Sequence, residues 1–129
     1  MNNDYTITPP KEGELTEKGF TKRIKINEGV TVKQLLEYGF SNNHKSTLYF
    51  MRMVGDDESF SLKLDKESLK ITSIDILDEN FLQPYDYQSI LMKNRHQKYA
   101  QGVFDNVDKI LEKLQNDGII NGYHRGMYV

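Results

Sequence analysis

Three kinds of side chain in this sequence could carry chemistry: grouped carboxylates, histidines and one run of cations. Asp75 and Asp78 flank the exit from an apolar segment, and Tyr85 and Asp86 follow shortly after. Two carboxyl groups facing one cleft are the machinery of general acid–base hydrolysis. The competing reading is structural, with Asp75 pointing to solvent and Asp86 capping a helix, and it is the stronger one. Asp56, Asp57 and Glu58 fall in a turn, where acids serve turn geometry and solubility. The three histidines, His44, His96 and His124, lie in separate segments and lack the spacing of a metal-binding pair. They read as surface residues, and no metal or other cofactor is expected.

Covalent catalysis has no foothold. The chain contains no cysteine, which excludes thiol nucleophiles, thiolate metal sites and disulfides. There is no Gly-x-Ser-x-Gly elbow, and Ser46, close to His44, sits in a polar stretch without an orienting acid. Gly118, Gly122 and Gly126 come after a helical segment rather than before one, so they offer no phosphate loop. No residue is therefore assigned a catalytic role.

The cations are Lys93, Arg95, His96 and Lys98, at the start of a long helical segment, with His124 and Arg125 near the end of the chain. Lys93, Arg95 and Lys98 form a candidate phosphate-contacting patch. The net charge of -2 opposes a dedicated nucleic-acid role, because phosphate neutralisation dominates such binding. Asp105, Asp108 and Glu112, expected on the helix's wet face, would repel phosphates. The chain's end resembles the helix–wing ending of winged-helix regulators. Its helix is long for a recognition helix, however, and no separate helix is expected before it at the usual tight spacing.

These residues must be positioned by local structure, and the punctuation of that structure is legible. The 129 residues suit one domain with one core. With 28% charged and 37% hydrophobic residues, the composition is that of a globular chain, and no apolar run spans a bilayer. The polar start, from Met1 to Pro10, lacks the apolar region of a signal peptide, so a cytoplasmic location is expected. Residues 1–19 read as a flexible or loosely docked arm, and residues 20–129 as a single α+β domain.

Ile24 and Ile26 alternate with cations in a short strand within 22–27. Thr31 and Gln34 form a capping box, Val30 and Leu35 a hydrophobic staple, and Gly39 a stop. This predicts a two-turn helix over 31–38 with Val32, Leu35 and Leu36 facing a core. A polar loop follows over 41–46. Residues 47–54 are apolar on both faces, as in a strand covered on both sides. Ser59 to Leu64 alternates with Phe60, Leu62 and Leu64 on one face. In the third strand, 69–77, the apolar phase slips between Ile71 and Ile74, which predicts a β-bulge. Pro84 blocks further ladder pairing. Asp86 caps a short helix carrying Tyr87, Ile90 and Leu91. Asn94 and Gln97 then suggest a capping box for an amphipathic helix with Val103, Phe104, Val107, Leu111 and Leu114 on its apolar stripe. Gly118 and Ile119 complete a Schellman stop. Asn121-Gly122 turns the chain into an edge strand or small hairpin.

The segment Asp75-Ile76-Leu77-Asp78-Glu79-Asn80-Phe81-Leu82-Gln83-Pro84-Tyr85-Asp86-Tyr87-Gln88 is richer in specific polar and aromatic residues than a connector needs. With Val32 to Phe40 and Phe60 to Leu64, it resembles short uncharacterised proteins of Gram-positive bacteria and their mobile elements, over residues 30–129. That resemblance implies a bacterial source class and transfers no functional residue.

The fold class expected is α+β, an antiparallel β-meander of three to four strands packed against one long C-terminal helix plus a short helix. The function expected is a small non-enzymatic protein-interaction module with a protein partner or a homo-oligomer, acting through the exposed sheet face or through Phe81, Gln83, Tyr85, Asp86, Tyr87 and Gln88. The tyrosines, Tyr49, Tyr85, Tyr87, Tyr99, Tyr123 and Tyr128, and Met51 and Met53 suit either an interface or the rim of a core. The alternative is a nucleic-acid-associated accessory protein using the basic patch, and the third reading is a small hydrolase built on Asp75, Asp78 and Asp86.

Overall fold

The computed structural model describes residues 4–129, apart from the side chains of Asn43 and His44. In chain order the elements are β1 (Lys25–Ile26), α1 (Val32–Tyr38), β2 (Ser41–His44), β3 (Thr47–Met53), β4 (Glu58–Asp65), β5 (Ile71–Asp78), β6 (Gln83–Pro84), α2 (Tyr87–Lys93), α3 (Lys98–Asn116) and β7 (Ile120–Asn121). The strands β2-β3-β4-β5-β6 make one antiparallel sheet in sequence order. β1 and β7 make a second, two-stranded sheet. The α+β meander with a long C-terminal helix is therefore present, extended at each edge by a short strand.

Local sequence signals explain most boundaries. Thr31 Oγ1 accepts from the Gln34 N–H while Gln34 Oε1 accepts from the Thr31 N–H, closing the capping box. Only one of the three expected core residues of α1 is fully buried: Leu35 is enclosed, Val32 is half-buried and Leu36 lies outside. A helix of two turns at the domain surface presents too narrow a stripe to bury all three. At the end of α3, the Ile119 N–H bonds Leu114 O at 2.9 Å and the Gly118 N–H bonds Gln115 O at 3.1 Å, with Gly118 at φ +80°. This is the Schellman geometry. The start of α3 differs from the expected box. Gln97 is itself the N-cap, accepting from the Ala100 N–H at 2.6 Å, while Asn94 ends α2.

The core lies between one face of the five-stranded sheet and α3. Leu48, Phe50, Phe60, Leu62, Leu64 and Ile74 come from the sheet, and Val103, Phe104, Val107, Leu111 and Leu114 from the helix, in one buried cluster. The predicted bulge sits where Leu64 pairs Ile71 but Lys63 pairs Ser73, leaving Thr72 as the extra residue.

Three expectations are corrected. β3 is covered on one face only, since Met51 and Met53 are 39% and 50% exposed. The polar stretch after α1 is partly strand, because β3 offers an edge that polar residues satisfy as well as apolar ones. Pro84 does not end the sheet, because on an edge strand its missing N–H can face outward. Of the two forms expected for the chain end, the edge strand is present, paired with β1.

Of the segment read as a flexible or loosely docked arm, residues 4–19 are described, and they make contacts with the rest of the fold. Ile7 is 5% exposed, Thr8 bridges Met127, and the Thr8 N–H bonds Gly126 O at 2.8 Å. Its scattered apolar residues find the chain end, a partner too distant in sequence for local patterning to reveal.

Candidate interaction site

The segment Asp75 to Gln88 is divided between surface and core. Its outer part is the turn joining β5 to β6. Asp78 Oδ1 accepts from the Asn80 and Phe81 N–H groups at 2.9 and 3.2 Å, and the Glu79 N–H bonds Asp57 O at 2.8 Å. Glu79 Oε2 accepts from Ser59 Oγ at 2.6 Å. This frame holds Leu82 at φ +52°. A bulky L residue in that region is uncommon, and such conformations cluster where function requires them. Phe81 and Leu82 project from the turn, each 74% exposed.

The inner part of the segment is structural. Gln83 is exposed on the edge strand, and Tyr85 is half-buried with its ring edge-on to Tyr99, centroids 6.2 Å apart. Asp86 caps α2 by accepting from the Ser89 N–H at 3.0 Å. Tyr87 and Gln88 are each 4% exposed. Tyr87 packs edge-on against Phe104, while Gln88 donates to Met127 O at 3.0 Å and accepts from the Val129 N–H at 3.1 Å. Gln88 thus anchors the chain end and Tyr87 packs against α3, both inside the fold. A helical stripe reads the same whether it faces a partner or the protein's own terminus.

The outer face of the sheet is the second exposed feature. The register sets Met53, Ser59 and Leu77 in one row and Met51, Ser61 and Asp75 in the next. The serines of the central strand are sunk between longer neighbours, with Ser59 and Ser61 buried.

The carboxylates considered for hydrolysis do not converge on shared chemistry. Asp86 is occupied as a cap, Asp78 closes the turn, and Asp75 is exposed on the outer sheet face. Glu58, expected to be a solvated turn acid, instead begins β4 and is 6% exposed on the core face, where it accepts a short hydrogen bond from the Tyr99 hydroxyl. Tyr99 also accepts from the Asp56 N–H at 3.0 Å. The bond to Glu58, followed by partial burial, raises the Tyr99 pKa. The group ties the β3–β4 turn to α3.

The cations Lys93, Arg95 and Lys98 are all exposed around the connection between α2 and α3. They line two adjoining hollows of about 630 and 520 Å³, with Arg95 and His96 shared between them. Two objections to a nucleic-acid role change here. A separate helix, α2, does precede α3 across a short connection. Asp105 and Asp108 are also not free to repel phosphate. Arg125 Nη2 bonds Asp105 at 3.2 Å and Arg125 Nη1 bonds Asp108 at 3.0 Å. Tyr123 donates a short hydrogen bond to Asp108, and burial followed by that bond raises the Tyr123 pKa.

His96 is exposed and His124 Nδ1 lies 3.1 Å from Arg125 O, whereas the side chain of His44 is outside the described residues. Among the described residues no group of three potential ligands could hold a metal ion. No helix among them is long and apolar enough to cross a membrane.

No family model matches the chain, and no curated protein matches it. Among solved structures it is similar to a DUF1831 family protein from Lactobacillus plantarum, with a TM-score of 0.59 and 13% identity over 76% of this chain and 84% of that one. At that identity the likeness speaks for the fold. Its source, a Gram-positive bacterium, agrees with the class that the sequence resemblance had pointed to.

Proposed function

We propose that the protein is a small non-enzymatic interaction module whose contact point is the Phe81–Leu82 turn. One observation carries the reading: two adjacent large apolar side chains, each 74% exposed, are held outward by a turn that keeps Leu82 at positive φ. Single exposed apolar residues are ordinary on protein surfaces, whereas a paired and conformationally costly display is not. The test is affinity capture from the native host with wild type and a Phe81→Ser/Leu82→Ser variant of equal melting temperature. The wild type is expected to retain a specific polypeptide that the variant loses. Identical captured sets would overturn the reading.

A second reading is favoured by the hollows that Lys93, Arg95, His96 and Lys98 line. An exposed cation cluster beside two short-linked helices fits a phosphate backbone, and salt-dependent binding separates the two readings.

A further inference from the structure

A groove of about 770 Å³ runs between the segment around β1 and the β4–β5 turn. Its apolar lining includes Phe20 and Ile24, both buried, and Ile26, Leu69 and Ile71, all half-buried. Leu69 stands at φ +58°, so the groove, like the Phe81–Leu82 turn, is built on a bulky residue in the left-handed region. Lys22, Lys25 and Lys70 are exposed on its rim, and none is in an ion pair among the described residues. Glu28 is also on the rim, leaving three cations to one acid. The chemistry that fits is a short segment with apolar side chains set among carboxylates.

This chain displays such a segment itself. Asp78 and Glu79 precede Phe81 and Leu82 in the β5–β6 turn, and the two apolar side chains stand clear of their own fold. We infer that the Phe81–Leu82 turn of one copy docks in the lysine-rimmed groove of a second copy. The charge signs match, and the turn supplies apolar side chains to meet the groove's apolar lining. The turn cannot reach the groove of its own chain. Ile71, in the groove, begins β5 and Asp78, in the turn, ends it. At about 3.3 Å per residue the two lie roughly 23 Å apart. The contact is head-to-tail: in each bound pair one copy keeps a free turn and the other a free groove.

The inference rests on the turn being a contact point, and its test separates the two claims. Sedimentation equilibrium of the full chain is measured from about 10 µM to about 1 mM, the range in which weak contacts populate. Weight-average mass is expected to rise past twice the monomer value, and less so at high salt, because the lysine–carboxylate attraction is screened. A turn variant, Phe81→Ser/Leu82→Ser, and a groove variant, Lys22→Glu/Lys25→Glu/Lys70→Glu, change exposed side chains and should keep the wild-type circular dichroism spectrum. Each alone is expected to remain monomeric. Mixed, they are expected to form a one-to-one dimer and nothing larger, because the intact turn of one fits the intact groove of the other. A closed twofold exchange of turns would instead hold the wild-type mass at twice the monomer value. A monomeric wild type throughout, self-association by either variant, or a mixture without dimer would overturn the inference. In each case the native-host capture still decides independently whether the turn binds another protein.

Discussion

The Tyr5 hydroxyl donates to Asp105 Oδ2 at 2.8 Å, joining residues 100 positions apart in sequence. The Tyr5 ring also packs edge-on against Phe104 at 5.5 Å, and the Arg125 guanidinium lies over both rings. The start of the chain, the middle of α3 and the end of the chain thus meet at one place.

Deleting residues 1–10 should therefore destabilise the protein. It removes Ile7 from a site where it is 5% exposed, together with the Thr8–Gly126 hydrogen bond. Loss of a buried isoleucine costs about 2 kcal/mol or more. Urea unfolding of the truncated chain checks this, and an unchanged midpoint would restore the flexible arm.

Arg125 is the cation of that junction, and removing it strands charge. Burial works against its ionised form, but the bonds to Asp105 and Asp108 outweigh this and raise its pKa. Arg125→Met leaves Asp108, 8% exposed, without its cation. Breaking a buried pair in this way costs about 3 kcal/mol. Asp108→Asn in the same chain removes the stranded charge and keeps an acceptor for Tyr123. The double variant should lose clearly less than the sum of the singles in a urea double-mutant cycle.

Several tyrosines make stability fall in alkali. Burial, then the bond to Asp117, pushes Tyr38 up from 10.0 to about 12. Burial also raises Tyr87 and Tyr123. A group whose folded pKa is raised binds its proton more tightly when folded. Its stabilising contribution is whole below pH 10 and is lost as pH climbs through its folded value. The unfolding midpoint should thus decline between pH 10 and about 12, with a shallower slope for Tyr38→Phe over that interval. Equal slopes for the two proteins would remove Tyr38 from the account.

Much of this architecture was legible because its signals are local. The capping box at Thr31, the Schellman stop at Gly118 and the bulge between Ile71 and Ile74 each involve residues close in sequence. What was not legible depends on distant partners. Nothing beside Asp108 announces Arg125, nothing beside Ile7 announces the chain end, and nothing beside Tyr87 or Gln88 marks them as internal. The candidate site was readable as an unusual segment, but its division at Tyr85 follows from where α2 packs. The lysine groove escaped notice because Lys22, Lys25 and Lys70 come from two separated stretches.

The basic patch supplies a quantitative discriminator. If Lys93, Arg95 and Lys98 contact phosphates, binding to random duplex should show a log–log salt slope of roughly -2.7, at about -0.9 per contact. The triple Ala variant should flatten it. The interaction reading expects weak, salt-insensitive binding by both proteins. A steep slope lost in the variant would promote the nucleic-acid reading above it.

Leu82 offers the sharpest separation of stability from function. Its φ of +52° costs a leucine roughly 1 kcal/mol, a cost that asparagine tolerates better. Leu82 is 74% exposed, so little packing is lost on replacing it. Leu82→Asn should accordingly leave stability unchanged or raise it by about 0.5–1 kcal/mol. The same replacement at Leu69, also at positive φ, should not, because Leu69 is half-buried against the core and its lost contacts offset the relieved strain. A leucine kept where asparagine is more stable is serving something other than the fold. The variant should therefore melt no lower than wild type yet lose the turn's partner and the concentration-dependent rise in mass. Retention of both by Leu82→Asn, with Phe81 intact, would assign the contact to Phe81 alone. A fall in stability would mean that the turn needs leucine for its own packing, and its display to solvent would then have no bearing on binding.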